Sequence, residues 1–244
     1  MNPEFWRKRW QEKRIGFNQS AANPLLVEYI KHLDLSAGSR IFVPLCGKSI
    51  DMAWLAAQGY DVVGVELVET AVQDFFVEQN IQYTVSHHVE NPAIICYQGQ
   101  LIEGEERRTI TLWVADIFTL TPTDVGPIDA VYDKAALIAL PADMRTKYSE
   151  QIRQLSGNVN KSVSVDSIDN NLAPQLLMTL NYDQSKKNGP PFSISGEQLQ
   201  QYYGSHYQMC ELANVPTVIG SAPDLKVTEH AWLLSHKQIS LRSD

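Results

Sequence analysis

Two neighbouring segments determine the fold class of this chain: Arg40-Ile41-Phe42-Val43-Pro44-Leu45-Cys46-Gly47-Lys48-Ser49 and Asp61-Val62-Val63-Gly64-Val65-Glu66. Each contains a short apolar run of the kind that forms a buried strand. Gly47 permits a tight turn after the first run, while Ser49 suits the N-cap of a helix and Gly59 suits its end. The pattern therefore predicts two parallel strands joined by a helix.

The loop between these strands favours a nucleoside ligand. Glu66 follows Gly47 by 19 residues, close to the roughly 20-residue offset at which a carboxylate binds a ribose diol. NAD or FAD would need the pattern G-x-G-x-x-G, and ATP would need a glycine where Phe42 stands. S-adenosylmethionine, which has a ribose but no phosphate, fits the single glycine best. The alternative is an ordinary strand–helix–strand unit in which Glu66 is merely solvated.

Composition agrees with one α/β domain over residues 1–244, since 44% hydrophobic content can fill a sizeable core. A net charge of −8 argues against a nucleic-acid partner. Three cysteines without paired spacing favour a reducing compartment. The first ten residues are charged and aromatic, unlike a signal peptide, and no apolar run approaches about 18 residues. We expect a cytoplasmic monomer with no membrane association.

Helix and strand signals alternate after position 40, as in a mainly parallel sheet covered on both faces. Further helices are predicted at 68–79, 143–155 and 197–203, and further strands at 130–132, 175–180 and 230–235. Residues 94–97 and 109–114 flank two glycines and a charged stretch, which predicts a hairpin projecting from the sheet. Residues 156–171, rich in Asn, Ser and Asp, are predicted to be a loop.

Several blocks of sequence share the pattern of one known family. They are Trp10 with Ile15-Gly16-Phe17, Val43-Pro44-Leu45-Cys46-Gly47-Lys48-Ser49, Val63-Gly64-Val65-Glu66, Tyr132-Asp133-Lys134-Ala135-Ala136-Leu137-Ile138-Ala139-Leu140-Pro141, and Tyr182-Asp183-Gln184 with Gly189-Pro190-Pro191-Phe192. Together they resemble the thiopurine S-methyltransferase family, most closely its bacterial members, and Pro-Leu-Cys-Gly-Lys is highly specific. The resemblance implies a class I S-adenosylmethionine-dependent methyltransferase, with a three-layer Rossmann-like fold and a seven-stranded, mostly parallel sheet.

The resemblance also implies roles for individual residues. The donor-binding set is Trp10, which closes over the methyl donor, Leu45, Glu66, Asp116, Ile117 and Lys134. Phe17 matches an aromatic residue at the acceptor pocket, and Asn18 follows it. An N-terminal helical segment, residues 1–39, would then act as a lid on an α/β core at 40–237. The alternative for Trp10 and Phe17 is a hydrophobic staple on an amphipathic helix.

Two departures from the family pattern concern the acceptor. Lys134 stands where the family usually has arginine, so the charge is kept but the planar two-point fork is lost. Asn18 stands where histidine is common, which removes a titratable group. Residues 217–227 offer no counterpart to a further arginine of some members, and residues 98–108 form a longer stretch than is typical. These changes bear on the identity of the acceptor rather than on donor binding.

The predicted chemistry follows from the donor, whose sulfonium methyl group is already electrophilic, so that a thiolate needs mainly proximity and alignment. Lys134 would stabilise the developing thiolate, while Asp133 either pairs with that lysine or caps the strand end. Cys46 lacks the partners of a nucleophile, and His87-His88 lacks a third metal ligand, so we expect no metal. The predicted function is S-methylation of small aromatic or heterocyclic thiols. The alternatives are methylation of inorganic selenium or tellurium species, and donor binding with little turnover.

Overall fold

One mixed sheet organises the computed structural model, which describes residues 3–157 and 172–237. Its strands in those ranges run in the order β3-β4-β5-β2-β1-β6-β7-β9-β8. Their bounds are β1 Arg40–Pro44, β2 Asp61–Glu66, β3 Tyr83–His87, β4 Ile95–Glu103, β5 Glu106–Val114, β6 Ala130–Lys134, β7 Gln175–Asn181, β8 Tyr207–Ile219 and β9 Ala222–His236. The five central strands, from β5 to β7, are mutually parallel, and antiparallel strands flank them on both sides.

Helices cover both faces of this sheet. They are α1 Pro3–Gln11, α2 Pro24–Tyr29, α3 Ile50–Ala57, α4 Glu69–Glu78, α5 Pro122–Val125, α6 Ala142–Ser156 and α7 Gly196–Tyr203. Helices α2, α3 and α4 pack on the face to which β1 contributes Ile41 and Val43. Helices α6 and α7 pack on the opposite face, which Phe42 fills. Because β1 is buried on both faces, its sequence is a continuous apolar run rather than an alternating one.

The signals read at the start and end of α3 act as predicted. The Ser49 side chain accepts a hydrogen bond from the backbone N–H of Asp51 at 3.3 Å, which caps the first turn. Gly59 adopts a φ of +94° just after the helix, a conformation that other residues rarely adopt. The helix therefore returns the chain to β2 beside β1, and the predicted strand–helix–strand unit is confirmed.

The strand count was wrong, because the sheet has nine strands in the described ranges rather than seven. The sequence interpretation lacked β3 and β8, the two edge strands. Every residue of β3 is exposed, so it has no buried apolar run to reveal it. The predicted hairpin exists as β4 and β5, but it extends the sheet instead of projecting from it, since β5 pairs with β2. The predicted loop at 156–171 falls almost entirely outside the described residues.

Candidate functional site

The loop after β1 has an unusual backbone that brings it against β2. Leu45 has a φ of +47° and Gly47 a φ of +54°, so two of three consecutive residues are left-handed. The backbone N–H of Cys46 donates to the carbonyl of Val65 at 2.9 Å. A Cβ at Gly47 would lie 3.3 Å from the Trp10 ring, a tight contact, and the positive φ also favours glycine at this position. The loop thus forms a tight turn at the carboxyl end of the sheet, with Trp10 packed against it.

Glu66 joins this loop to the start of α4. Its Oε2 accepts from the N–H of Gly47 and its Oε1 from that of Val68, both at 2.9 Å. The side chain is 7% exposed. Burial raises the pKa of Glu66, and the N–H donors of Val68 and Gly47 oppose that rise by favouring the carboxylate. Each carboxylate oxygen keeps a second lone pair, which a ribose hydroxyl could use.

Cys46 lies in the same loop but has the properties of a structural thiol. It is buried, and burial, followed by the charge of Glu66, raises the pKa of Cys46 well above its ordinary value. Only the thiolate is a strong nucleophile. The side chain instead fills the space beside Gly64, where an added Cβ would lie 2.9 Å from Sγ. These properties argue against a catalytic thiol.

The loop after β5 continues the same edge. The Ala115 N–H donates to the carbonyl of Glu66 at 2.9 Å, which holds this loop beside β2. Asp116 caps a short 3-10 helix, residues 117–119, by accepting from the Phe118 N–H at 3.1 Å. Ile117 is buried beneath it. Asp116 and Ile117 therefore lie one strand away from Glu66, as an adenosine spanning the two strand ends would require.

Lys134, at the end of β6, pairs with Asp51 rather than with Asp133. Its Nζ lies 3.0 Å from Oδ2 of Asp51, a fully buried carboxylate that Tyr132 Oη also contacts at 3.0 Å. The other oxygen of Asp51 accepts from the Asn23 N–H at 2.8 Å. This carboxylate therefore ties the strand end to the beginning of α2. Asp51 lies in the first turn of α3, close to the Pro-Leu-Cys-Gly-Lys block, and an acidic residue at that position is expected in any helix, so the sequence did not single it out.

Asp133 faces the opposite side of the sheet and caps the following turn. It accepts from the N–H groups of Ala136 and Leu137 at 3.2 and 3.3 Å, and from Tyr148 Oη at 2.7 Å. Burial raises the pKa of Asp133 to about 6, against the lowering effect of these donors. Of the two roles considered for Asp133, the structure supports the cap.

The aromatic residues of the N-terminal segment form one cluster above the loop. The rings of Trp10 and Phe17 lie 5.7 Å apart, and those of Trp6 and Phe17 lie 5.9 Å apart. Trp10 is 7% exposed and packs with Val68 at the start of α4, whereas Phe17 is 39% exposed. Phe17 thus reaches the donor loop through Trp10. Asn18 instead lines a cleft of 350 Å³ together with Lys48 and Glu78.

His88, the second of the two adjacent histidines, holds a turn through both of its ring nitrogens. His88 Nδ1 accepts from two backbone N–H groups, at 3.2 Å from Glu90 and 3.1 Å from Asn91. Its Nε2 therefore carries the proton, and it donates to Asp124 Oδ1 at 2.9 Å. Within residues 3–157 and 172–237, no group of three or more His, Cys, Asp or Glu side chains is placed to hold a metal ion.

Comparison with known proteins identifies the family of this chain. A family model described as thiopurine S-methyltransferase matches residues 1–236. The chain belongs to this family. The thiopurine S-methyltransferase of Psychrobacter cryohalolentis is 58% identical over 96% of this chain and 99% of that protein. The one from Teredinibacter turnerae is 41% identical over 96% and 98%. The resemblance read from the sequence is confirmed, and the chain is an enzyme of this methyltransferase family.

Solved structures of methyltransferases outside the family share the fold. A Burkholderia thailandensis N1-methyltransferase, determined with S-adenosylhomocysteine bound, has a TM-score of 0.58 at 12% identity, covering 96% of this chain and 87% of that one. A methyltransferase from Anabaena variabilis has a TM-score of 0.59 at 11% identity, covering 97% and 96%. The predicted Rossmann-like methyltransferase fold is confirmed. In the part of the chain that is described, no helix is long and apolar enough to cross a membrane.

Proposed function

We propose that this chain transfers the methyl group of S-adenosylmethionine to the sulfur of a small aromatic or heterocyclic thiol. The arrangement around Glu66 carries the donor part of this proposal. Its carboxylate is fixed by two backbone N–H groups beside the tight turn that follows β1, at the carboxyl edge of parallel strands. Ligands of open α/β sheets bind at that edge. The family membership supports the same donor.

The donor would extend along the edge from β1 to β5. The ribose hydroxyls would donate to Glu66, the methionine portion would approach the Leu45 backbone, and the adenine would lie against Asp116 and Ile117. Trp10 would cover the loop, since its ring already packs at the Gly47 turn. S-adenosylmethionine supplies the electrophilic methyl group, and these residues bind it, orient it and exclude water.

The acceptor would lie on the β6 side of the donor, with Phe17 and Asn18 contributing from the N-terminal segment. The Lys134 ammonium has three N–H groups. Its pairing with Asp51 leaves N–H groups that can donate hydrogen bonds to the carboxylate of S-adenosylmethionine or to a thiolate. In the transfer, the thiolate lone pair forms a new carbon–sulfur bond while the methyl–sulfonium bond breaks towards the donor's sulfur. The lysine therefore orients an anion, and alignment supplies most of the acceleration.

A turnover panel tests the proposal. Purified protein would be incubated with S-adenosylmethionine and, separately, with aromatic thiols, heterocyclic thiones, selenite and tellurite, and S-adenosylhomocysteine would be quantified. We expect product with the aromatic and heterocyclic acceptors. Product with the selenium or tellurium species alone would favour the inorganic alternative. Calorimetric binding of S-adenosylhomocysteine with no turnover on any acceptor would favour a binding protein.

The same proposal assigns a lid function to the N-terminal segment 1–39, and within it to the part that precedes α2, because α2 itself packs in the core. Trp10 and Phe17 belong to that part, so closing or opening it leaves the sheet intact. Hydrogen exchange at residues 5–20, measured with and without S-adenosylhomocysteine, tests this role.

A further inference from the structure

A threonine, a histidine and a glutamate form a hydrogen-bonded row on the outer strands of the sheet. His230 is 6% exposed, and its Nδ1 lies 2.5 Å from Glu211 Oε1. Its Nε2 lies 2.7 Å from the hydroxyl oxygen of Thr228. The imidazole ring is parallel to that of Trp232, at 4° between planes, which fixes its orientation. Both ring nitrogens of a buried histidine are therefore committed to named partners.

The glutamate reaches this histidine diagonally across the β8–β9 ladder. His230 lies opposite Asn214, whereas Glu211 lies opposite Trp232, the next residue of β9 on the same face as His230. The ladder shifts register between Glu211 and Ala213, so that one extra residue stands in β8 beside this contact. Such bulges are over-represented next to active sites.

The hydrogen bonds define the direction in which a proton can move. An ionised carboxylate only accepts, so Glu211 places the histidine proton on Nδ1. The neutral ring then presents Nε2 as an acceptor, and the Thr228 hydroxyl donates to it. Thr228 also lies 3.5 Å from the carbonyl of Asn181, a much longer contact than the one to His230. Its oxygen keeps lone pairs that can accept a proton from elsewhere.

The threonine end of this row faces the edge where the donor binds. Thr228 pairs with Asn181, the last residue of β7, so it lies at the carboxyl end of the parallel strands. It lines an open cleft of 540 Å³, within the size range of small-molecule sites. Strand β9 is two positions from β6 in the sheet, or about 10 Å at the usual strand spacing. A fused heteroaromatic thione covers part of that distance, and the gap to the methyl group at one end and a hydrogen bond to Thr228 at the other cover the rest.

We propose that Glu211, His230 and Thr228 form a proton relay for heterocyclic acceptors, with Thr228 the group that touches the acceptor. This inference rests on the proposed function. In a heterocyclic thione the acidic hydrogen is on a ring nitrogen rather than on the sulfur. In a fused ring system that nitrogen can belong to the ring that does not carry the sulfur, and its electron pair is conjugated with the C=S group, so its base need not be close to the methyl group. The proton leaves the ring N–H for the Thr228 oxygen, while the threonine's own proton passes to His230 Nε2. The freed electron pair moves to the sulfur, which attacks the methyl carbon.

The resulting charges balance. His230 becomes an imidazolium that the Glu211 carboxylate stabilises, and the donor's sulfonium becomes a neutral thioether. His230 returns its proton to solvent through Thr228 after the product leaves. Thr228 is thus a catalytic residue, and Glu211, which acts through the imidazole, is a positioning residue.

Two acceptors that differ in ionisation test the relay. Turnover would be measured on 6-mercaptopurine, which must lose a ring proton, and on 2-nitro-5-thiobenzoate, which is already a thiolate. Thr228→Val keeps the shape and removes the hydroxyl, and His230→Gln removes the base. We expect kcat/KM on 6-mercaptopurine to fall by about 100-fold, at the lower end for general base catalysis. On the thiobenzoate it should change less than twofold.

Thr84→Val is the matched control, because Thr84 is an exposed residue of β3, an edge strand on the far side of the sheet from His230. It should leave both acceptors unaffected. Equal losses on both acceptors, or no loss on either, would overturn the relay, since a purely structural role cannot distinguish them. Affinity for S-adenosylhomocysteine verifies that each variant is folded. If the wild-type protein methylates neither acceptor, the acceptor class itself is wrong and the relay falls with it.

Discussion

Removing the Lys134 charge should destabilise the protein through the carboxylate that it leaves behind. Asp51 is fully buried, and its neutral donors are the Tyr132 hydroxyl and the Asn23 N–H. Lys134→Met keeps the stem of the side chain but leaves this carboxylate without a counter-charge. Breaking a buried ion pair from one side costs about 3–5 kcal/mol. The two remaining donors place the expected loss at the lower end, about 3 kcal/mol, or roughly 6–12 °C in Tm for a chain of this size.

The double variant separates an uncompensated charge from lost packing. Asp51→Asn in the Lys134→Met background removes the orphaned charge, so at least about 1 kcal/mol of stability should return. Asp51→Asn alone should lower the free energy of unfolding by less than Lys134→Met does, because the Lys134 side chain is 14% exposed and its ammonium can turn towards water. Only the uncompensated-charge explanation predicts that a second substitution restores stability.

Urea denaturation followed by circular dichroism measures these free energies of unfolding. Lys31→Met, at an exposed position of the N-terminal region, is the control, and it should stay within about 0.5 kcal/mol of the wild type. The reasoning is refuted if Lys134→Met behaves like the control, or if the double variant is less stable than Lys134→Met.

Four further measurements address the site. Glu66→Gln should weaken S-adenosylhomocysteine binding by about 1.5–3 kcal/mol in a calorimetric titration, since it weakens hydrogen bonds to a charged group; unchanged affinity would remove Glu66 from the ribose role. Hydrogen exchange at residues 5–20 should slow when S-adenosylhomocysteine binds, and equal protection in both states would indicate a permanently packed helix. Lys134→Ala should lower turnover more than it lowers the affinity for the methyl donor, whereas Lys134→Arg should raise kcat/KM on thiopurine-like thiols. An acceptor role for Lys134 would be contradicted if alanine lowered turnover and donor affinity equally and arginine changed neither. Burial raises the pKa of Asp133 to about 6, so between about pH 4 and pH 6 the folded protein keeps a proton that the unfolded chain releases. The free energy of unfolding should therefore fall as pH rises through this range, and Asp133→Asn should flatten that part of the stability–pH curve.

The sequence predicted the central strands, which are buried on both faces, and the helices that follow them. Strands β1 and β2 and helix α3 were expected within a residue or two of their observed bounds, because a continuous apolar run and a capped helix leave little choice. Helix α4 likewise begins at Glu69, one residue after the predicted start. The edge strands β3 and β8 escaped prediction, since solvent-facing strands have mixed composition and owe their pairing to a neighbour.

The candidate site was predictable only where a backbone motif defines it. The distance in sequence between Gly47 and Glu66 indicated their relation, and the structure joins them by a hydrogen bond. The partner of Lys134 could not be predicted, because Asp51 precedes it by 83 residues and meets it only when α3 packs beside β6. The Glu211–His230–Thr228 row gave no signal either, since it depends on the pairing of β9 with β8, a strand that was not expected.

If Trp10 closes over the donor as proposed, its packing on the Gly47 turn has a kinetic consequence. A donor that enters beneath this indole would have to arrive before the ring settles, and S-adenosylhomocysteine would leave only after the ring has moved away. The acceptor, approaching from the β6 side, is free of this requirement. Binding should therefore be sequential, with the donor first to enter and S-adenosylhomocysteine last to leave. At saturating substrate, the rate at which Trp10 separates from the Gly47 turn would then set the upper limit on kcat.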